Sequence, residues 1–465
     1  MNTFTKYAFL LFCGLSAISC DKDEPPLPDN TVAFAAENQG IENTASALEV
    51  ALNFGRPVEA PVNISVTLTE SGVRYGTDYT TEPAAENGII QLTAPAGSSG
   101  TKLILKKNNA IVLNGDETVK LTISQVGSPV LSGSIKESVI SFAAITSDGS
   151  TLTLNGIAAD ESGASAANAV FVDLSGNSQY PVLRSAWDLG FYSGNDFRVI
   201  INNMTAATAL KTDKTDLAAV TAADFDPNNL KVGQGQGNFD IIDDPQGDNI
   251  LHGTAIDEVS ATEADNKVYI INRAGGSANV APVEELYKIR VLRDGQDGYT
   301  VQYAKVNESA VKTISVKKDP EHNFQYISLE KGEQVTVEPA KQKWDIVWGY
   351  HMYYTGTIPY GFSDLVFVNT LGGAKAAEVL TSNISYEAFS ASHLASVQFS
   401  GSSDVIGSKW RVTSGGTVGV KTDRFYVLQD ASGNVYKLKF VSFHANDGGT
   451  RGKPVISYSL VKSAQ

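Results

Sequence analysis

Two acidic stretches beyond the N-terminal segment could gather oxygen donors. They are Asp224-Phe-Asp-Pro-Asn-Asn229 and Asp240-Ile-Ile-Asp-Asp-Pro245. Such carboxylates can gather a hard cation, and a pair flanking a cleft can cut a glycosidic bond. Each stretch is also rich in Asn, Asp and Pro, the residues of solvated turns, and no cleft is placed by the sequence. Nucleophilic chemistry has fewer footholds still. There is no Gly-x-Ser-x-Gly elbow and no His-Glu-x-x-His pair. Gly233-Gln-Gly-Gln-Gly237 lacks the flanking strand, helix and lysine of a phosphate loop. The chain reads as a non-enzyme, without a metal site of its own.

The two cysteines are Cys13 and Cys20. Lys6 precedes an apolar run from Tyr7 to Ile18, too short for a bilayer, which needs about 20 apolar residues, but suited to a signal peptide. Its end, Ala17-Ile18-Ser19-Cys20, resembles the lipobox of bacterial lipoproteins, with Ala17 where leucine is commoner. That resemblance implies a leader over residues 1–19 and lipid attachment at Cys20. The charged, proline-rich stretch from Asp21 to Pro28 reads as a tether, giving a 20–30 segment that cannot build a core. It resembles the acidic signals that send lipoproteins to the outer face of the outer membrane, so a lipid-anchored cell-surface location is expected. The mature body has no thiol and no disulfide. The full chain's formal charge of −15 repels phosphates, which sets nucleic acid aside as a partner.

The elements beyond the tether are short alternating runs rich in Val, Ile, Thr, Tyr and Phe, cut by Gly, Asn, Asp and Ser turns. The fold class is all-β. Only Thr215–Val220 and Ser385–Phe389 offer short helices, each with a candidate N-cap. Residues 31–145 have the strand spacing of a β-sandwich. Within them, Tyr75-Gly-Thr-Asp-Tyr-Thr-Thr81 and Asn114-Gly-Asp-Glu-Thr-Val-Lys-Leu-Thr-Ile123 resemble Calx-β-like domains. The resemblance makes Asp78, Asp116 and Glu117 conceivable calcium ligands, although turn residues and strand ends are the plainer reading, and the unit reads as a spacer.

The remainder holds a repeat. One copy has Val170-Phe-Val-Asp-Leu-Ser-Gly176, Trp187-Asp-Leu-Gly-Phe191, Lys267-Val-Tyr269 and Glu285-Leu-Tyr-Lys-Ile-Arg-Val291. The other has Gln325-Tyr-Ile-Ser-Leu-Glu-Lys-Gly332, Trp344-Asp-Ile-Val-Trp348, Arg424-Phe-Tyr426 and Val435-Tyr-Lys-Leu-Lys-Phe440. Trp187 to Tyr269 and Trp344 to Tyr426 are both separations of 82 residues, which argues common ancestry. The repeats are placed at 146–309 and 310–465. Trp187, Trp344, Tyr287 and Tyr436 recur because they fill equivalent cores.

The lipoprotein leader, the Trp-Asp strand, a long middle and the Tyr-Lys strand together resemble the HmuY-like family of haem-binding lipoproteins. The resemblance implies two β-rich domains, haem as cofactor for iron acquisition, and an outer-membrane haem receptor as partner. Haem iron needs an imidazole or thioether on each axial face and apolar walls for the macrocycle. Of five histidines, only His351 follows a Trp-Asp strand, inside Trp348-Gly-Tyr-His-Met-Tyr-Tyr-Thr-Gly356. His351 and Met352 are the axial-ligand candidates, with Tyr350, Tyr353 and Tyr354 as pocket walls. On a strand, His351 and Met352 point to opposite sides. The first copy has Gly194 where the second has His351, and Met204 is its nearest sulfur. The alternative is a non-haem cell-surface module for a glycan, a host protein or a partner lipoprotein.

Overall fold

Val62, Ile64 and Val66 are buried while Asn63 is exposed, and this period of two runs through the N-terminal strands. In a computed structural model, these strands form a sandwich of a five-stranded and a six-stranded sheet over one core. The structure describes residues 29–41, 45–108, 117–142, 146–157, 166–247, 249–276, 278–295 and 297–464. Cys20 and Asp116 lie outside the described residues. Asp78 closes a turn by accepting the Arg74 amide at 2.7 Å, and Glu117 is buried beneath Gly72.

Four sheets and a two-stranded ribbon of Arg411–Val412 and Gly419–Val420 build the rest, and strands pair across the boundary expected at 309/310. The first Trp-Asp strand, Leu189–Tyr192, lies between Val199–Ile201 and Phe324–Ser328, the latter carrying Glu333–Val335 at its outer edge. The second, Ile346–Thr355, lies between Ile358–Val368 and Asn168–Asp173, whose hairpin partner is Ser178–Leu183. Each copy has therefore given its first hairpin to the other.

The terminal meanders repeat the exchange. Thr208–Lys211, Tyr269–Asn272, Tyr287–Asp294 and Gly298–Lys305 are closed by Lys312–Lys317, which opens the second copy. Lys375–Leu380, Arg424–Gln429, Val435–Ser442 and Val455–Lys462 are closed by Gly149–Thr153, which opens the first. In space, residues 187–340 make one unit from continuous chain, inserted into a second unit made of 146–183 and 344–464.

Among the described residues no α-helix forms. Thr215–Val220 contains the 3-10 turn Leu217–Ala219, capped by Asp216. Ser385–Phe389 is a turn, closed by the Phe389 amide on the Ser385 carbonyl at 3.1 Å. Neither segment can repay helix nucleation alone.

Candidate functional site

The two tryptophans meet at the seam between the units. Trp187 stands edge-on to Tyr326 at 4.8 Å, and Trp344 edge-on to Phe171 at 5.0 Å. Each ring is thus paired with an aromatic from the other copy's first strand. The carboxylates that follow repeat the crossing: Asp188 accepts the Leu329 amide at 2.7 Å, and Asp345 accepts the Leu174 amide at 2.8 Å.

Two asparagines hold these strands in place. Asn202 donates to the carbonyls of Arg184 and Trp187 at 2.7 and 2.8 Å, and Asn369 to those of Lys341 and Trp344 at 2.7 and 2.9 Å. Neither was legible as a pair, because Asn202 follows its tryptophan through a short hairpin and Asn369 follows through a long one.

A cavity of ≈ 120 Å³ lies where these side chains converge. Phe171, Trp187, Phe324, Tyr326, Trp344 and Phe367 give it aromatic walls, and Met204, His351 and Glu338 bring the functional atoms. His351 is 2% exposed and meets Phe367 edge-on at 4.8 Å. Its Nδ1 lies 3.4 Å from Asn203 Oδ1, and its Nε2 has no partner. Burial, with Arg184 nearby, lowers its pKa to about 3, so the imidazole is neutral. Burial raises Glu338 to about 8 against hydrogen bonds from the Phe324 amide and the Tyr326 hydroxyl, which makes it a neutral acid at pH 7.

Strand parity sorts the expected residues. His351 enters the cavity, while Met352 is fully buried on the other side among Ala206, Val232, Ile241 and Ile242. Tyr350, Tyr353 and Tyr354 do not line the cavity. Tyr350 lies under the Arg184 guanidinium and donates to Met352 Sδ at 3.7 Å. The Tyr353 hydroxyl is held by Asp404, and that of Tyr354 by Asp244 at 2.6 Å. Gly194 sits on a loop where the Lys318 ammonium donates to its carbonyl at 2.6 Å, away from the cavity lining. Met204, Glu338 and both tryptophans line the cavity instead; only Met204 had a signal, its sulfur.

The family model described as HmuY protein matches residues 165–293 and 320–458. No curated protein matches the chain. Among solved structures, the apo form of the Calx CBD1 domain is 11% identical with a TM-score of 0.22, covering 25% of this chain and 97% of its own. A putative carbohydrate binding protein from Bacteroides ovatus is 11% identical with a TM-score of 0.17, covering 93% and 98%. A two-domain protein from Bacteroides fragilis is 10% identical with a TM-score of 0.18, covering 73% and 88%.

Proposed function

The chain belongs to the HmuY protein family, and from that premise we propose that it is a lipid-anchored surface protein that captures haem at the seam between its two units. The observation that carries this reading is His351, a buried, neutral imidazole that lines an aromatic-walled cavity and whose Nε2 has no partner among the described residues. A neutral imidazole is the form that donates a lone pair to a metal. Haem supplies, when bound, an iron with open axial positions on a flat macrocycle. His351 would hold it through nitrogen, with the Met204 thioether on the same cavity and Trp187, Trp344 and Phe367 as walls.

The donors fit the group, and the space as it stands does not. A volume of ≈ 120 Å³ is well below the roughly 300–1,000 Å³ of pockets that enclose drug-sized ligands. Haem capture therefore requires the lining to part. Pro245, Asn249 and Ile250 line the cavity from a loop outside the sheets, pinned at its base by the Asp244 amide on the Gly253 carbonyl at 2.7 Å.

That same volume favours a second reading, in which the seam holds a smaller ligand without iron and the protein is a non-haem surface module. In both readings the protein binds and performs no turnover. Under the first, an outer-membrane haem receptor takes the cargo, and Cys20 carries the lipid. Among the described residues no helix is long and apolar enough to cross a membrane.

Haemin titration of the purified chain, read by visible absorption beside His351→Ala, decides between them. A saturable Soret shift near one equivalent that the variant loses supports haem capture. No shift, or one indifferent to the substitution, gives the non-haem reading first place.

A further inference from the structure

Beyond the seam, the strand that carries His351 runs out into a hairpin with Ile358–Val368, the edge strand of its sheet. The lower part of that edge is closed, because the Val366 and Val368 amides donate to the Gly407 and Ser403 carbonyls at 3.1 and 2.8 Å. The upper part has no strand beside it, and there Ile358 and Tyr360 are 38% and 48% exposed. Tyr353 lies directly opposite Tyr360 across the hairpin, so the two side chains share one face.

Aromatic rings and carboxylates meet on this outer part of the hairpin. Phe362 stands nearly perpendicular to Tyr353 at 5.9 Å and to Tyr360 at 5.3 Å, and Tyr354 meets Tyr353 edge-on at 5.7 Å. Asp404 accepts from the hydroxyls of Tyr353 and Ser402. Asp244 accepts from the Tyr354 hydroxyl at 2.6 Å and the Gln246 amide at 2.9 Å. Both carboxylates are half-buried, and among the described residues neither has a basic partner.

Rings set at right angles offer no flat platform for a sugar, whereas an exposed ring face attracts a cation on its own. The hairpin already uses two rings in this way. The Arg184 guanidinium lies over Tyr350 at 4.7 Å, and that of Arg411, paired with Asp364 at 2.6 Å, lies 5.9 Å from the Phe362 ring. Tyr360 is the exposed ring of the set, and among the described residues no cation covers it. Arginine suits the place because its planar guanidinium is weakly hydrated, stacks on aromatic faces and donates twice to a carboxylate.

We propose that the outer face of this hairpin docks a basic segment of a partner protein, an arginine guanidinium lying over the Tyr360 ring with the bordering Asp404 and Asp244 carboxylates as counter-charge. The free edge at Ile358–Phe362 leaves the segment's backbone a strand to lie against. The proposal rests neither on haem nor on the seam cavity, which Tyr353, Tyr354 and Tyr360 do not line.

The test is a titration of the purified chain, ¹³C-labelled at its tyrosine rings, with the peptide acetyl-Gly-Arg-Gly-Arg-Gly-amide and its citrulline counterpart, which keeps the shape and loses the charge. Tyr360→Phe assigns the Tyr360 resonance by removing it. The arginine peptide should shift that resonance saturably, and the citrulline peptide should bind about fivefold more weakly or worse. Tyr360→Ala should weaken the arginine peptide about three- to tenfold while Tyr360→Phe keeps it, because the ring face and not the hydroxyl holds the cation. Asp404→Asn should weaken it and flatten its dependence on salt. Equal binding of the two peptides, or binding that leaves the Tyr360 resonance unmoved, overturns the proposal without recourse to any variant that might misfold. So does maltotriose moving that resonance where the arginine peptide does not, which would make the face a sugar site.

Discussion

Asp188 in the first Trp-Asp strand accepts a hydrogen bond from the amide of Leu329, which belongs to the other copy of the repeat, at 2.7 Å. Its counterpart Asp345 reaches Leu174 in the same way at 2.8 Å. A carboxylate buried at the start of each Trp strand therefore satisfies the turn within a hairpin supplied from elsewhere in sequence. The seam cavity exists because of this crossing, since its walls are paired aromatics of opposite origin.

The two aspartates should respond differently to amidation. Asp188 also accepts from Arg273 Nε at 2.6 Å, an ion pair that opposes, without overcoming, the burial that raises its carboxyl. The Asp345 carboxyl is pushed well above the usual range by burial and then by Asp173 beside it. Asp188→Asn should cost about 1–3 kcal/mol in urea unfolding, because it strips a charged hydrogen bond. Asp345→Asn keeps an acceptor for Leu174 and removes an unwelcome charge, so it should change stability by less than about 1 kcal/mol. Equal losses would mean that Asp345 has cationic support.

Residues 187–340 contain every strand of two sheets, so this segment should fold alone with a cooperative thermal transition. Residues 146–309 should not. They lack Lys312–Lys317 and Phe324–Val335, which leaves Gly298–Lys305 and Leu189–Tyr192 with bare edges. Amide dispersion in heteronuclear NMR distinguishes the two. A folded 146–309 segment would show that the hairpin at 168–183 can return to its own copy.

The strands were legible because burial alternates with period two, as at Val62, Ile64 and Val66, and the same rule put His351 and Met352 on opposite faces. The exchange was not legible. Leu174 and Leu329 sit in similar local sequences, so pairing within a copy or between copies satisfies the same hydrophobic pattern, and only the path of the chain chooses. Trp187 and Trp344 look like core fillers for a related reason: a sequence reports an indole's bulk, whereas the missing partner of its nitrogen is a property of the space around it. Tyr353 shares the parity of His351, yet its hydroxyl is drawn to Asp404, a partner that no local pattern announces.

Met352 and His351 should separate stability from binding. Met352→Ala empties a fully buried site and should cost roughly 2–5 kcal/mol while leaving ligand affinity in the seam unchanged. His351→Ala should abolish the affinity that depends on its nitrogen. Equal loss of affinity in both variants, measured by calorimetry at a temperature where each is folded, would place the ligand elsewhere.

The buried titratable groups give stability a pH signature that single variants can isolate. Glu338 is raised to about 8 and Asp243 to about 7, both by burial, from unfolded values of about 4.3 and 3.9. Their contributions are fully present below the unfolded values and are lost as pH rises through about 8 and about 7. His351 is lowered to about 3 from about 6.5, so its contribution is present above 6.5 and is lost as pH falls through about 3. Relative to the parent chain, Glu338→Gln should gain stability steadily between pH 5 and 8, by at most about 1.4 kcal/mol per pH unit. His351→Phe should gain in the opposite direction, as pH falls below 6.5. Urea midpoints collected across pH 4–9 for the three proteins give both differences directly. A flat difference for Glu338→Gln would mean that its carboxylate is already ionised in the folded protein, and the seam cavity would then favour a cationic ligand over a neutral one.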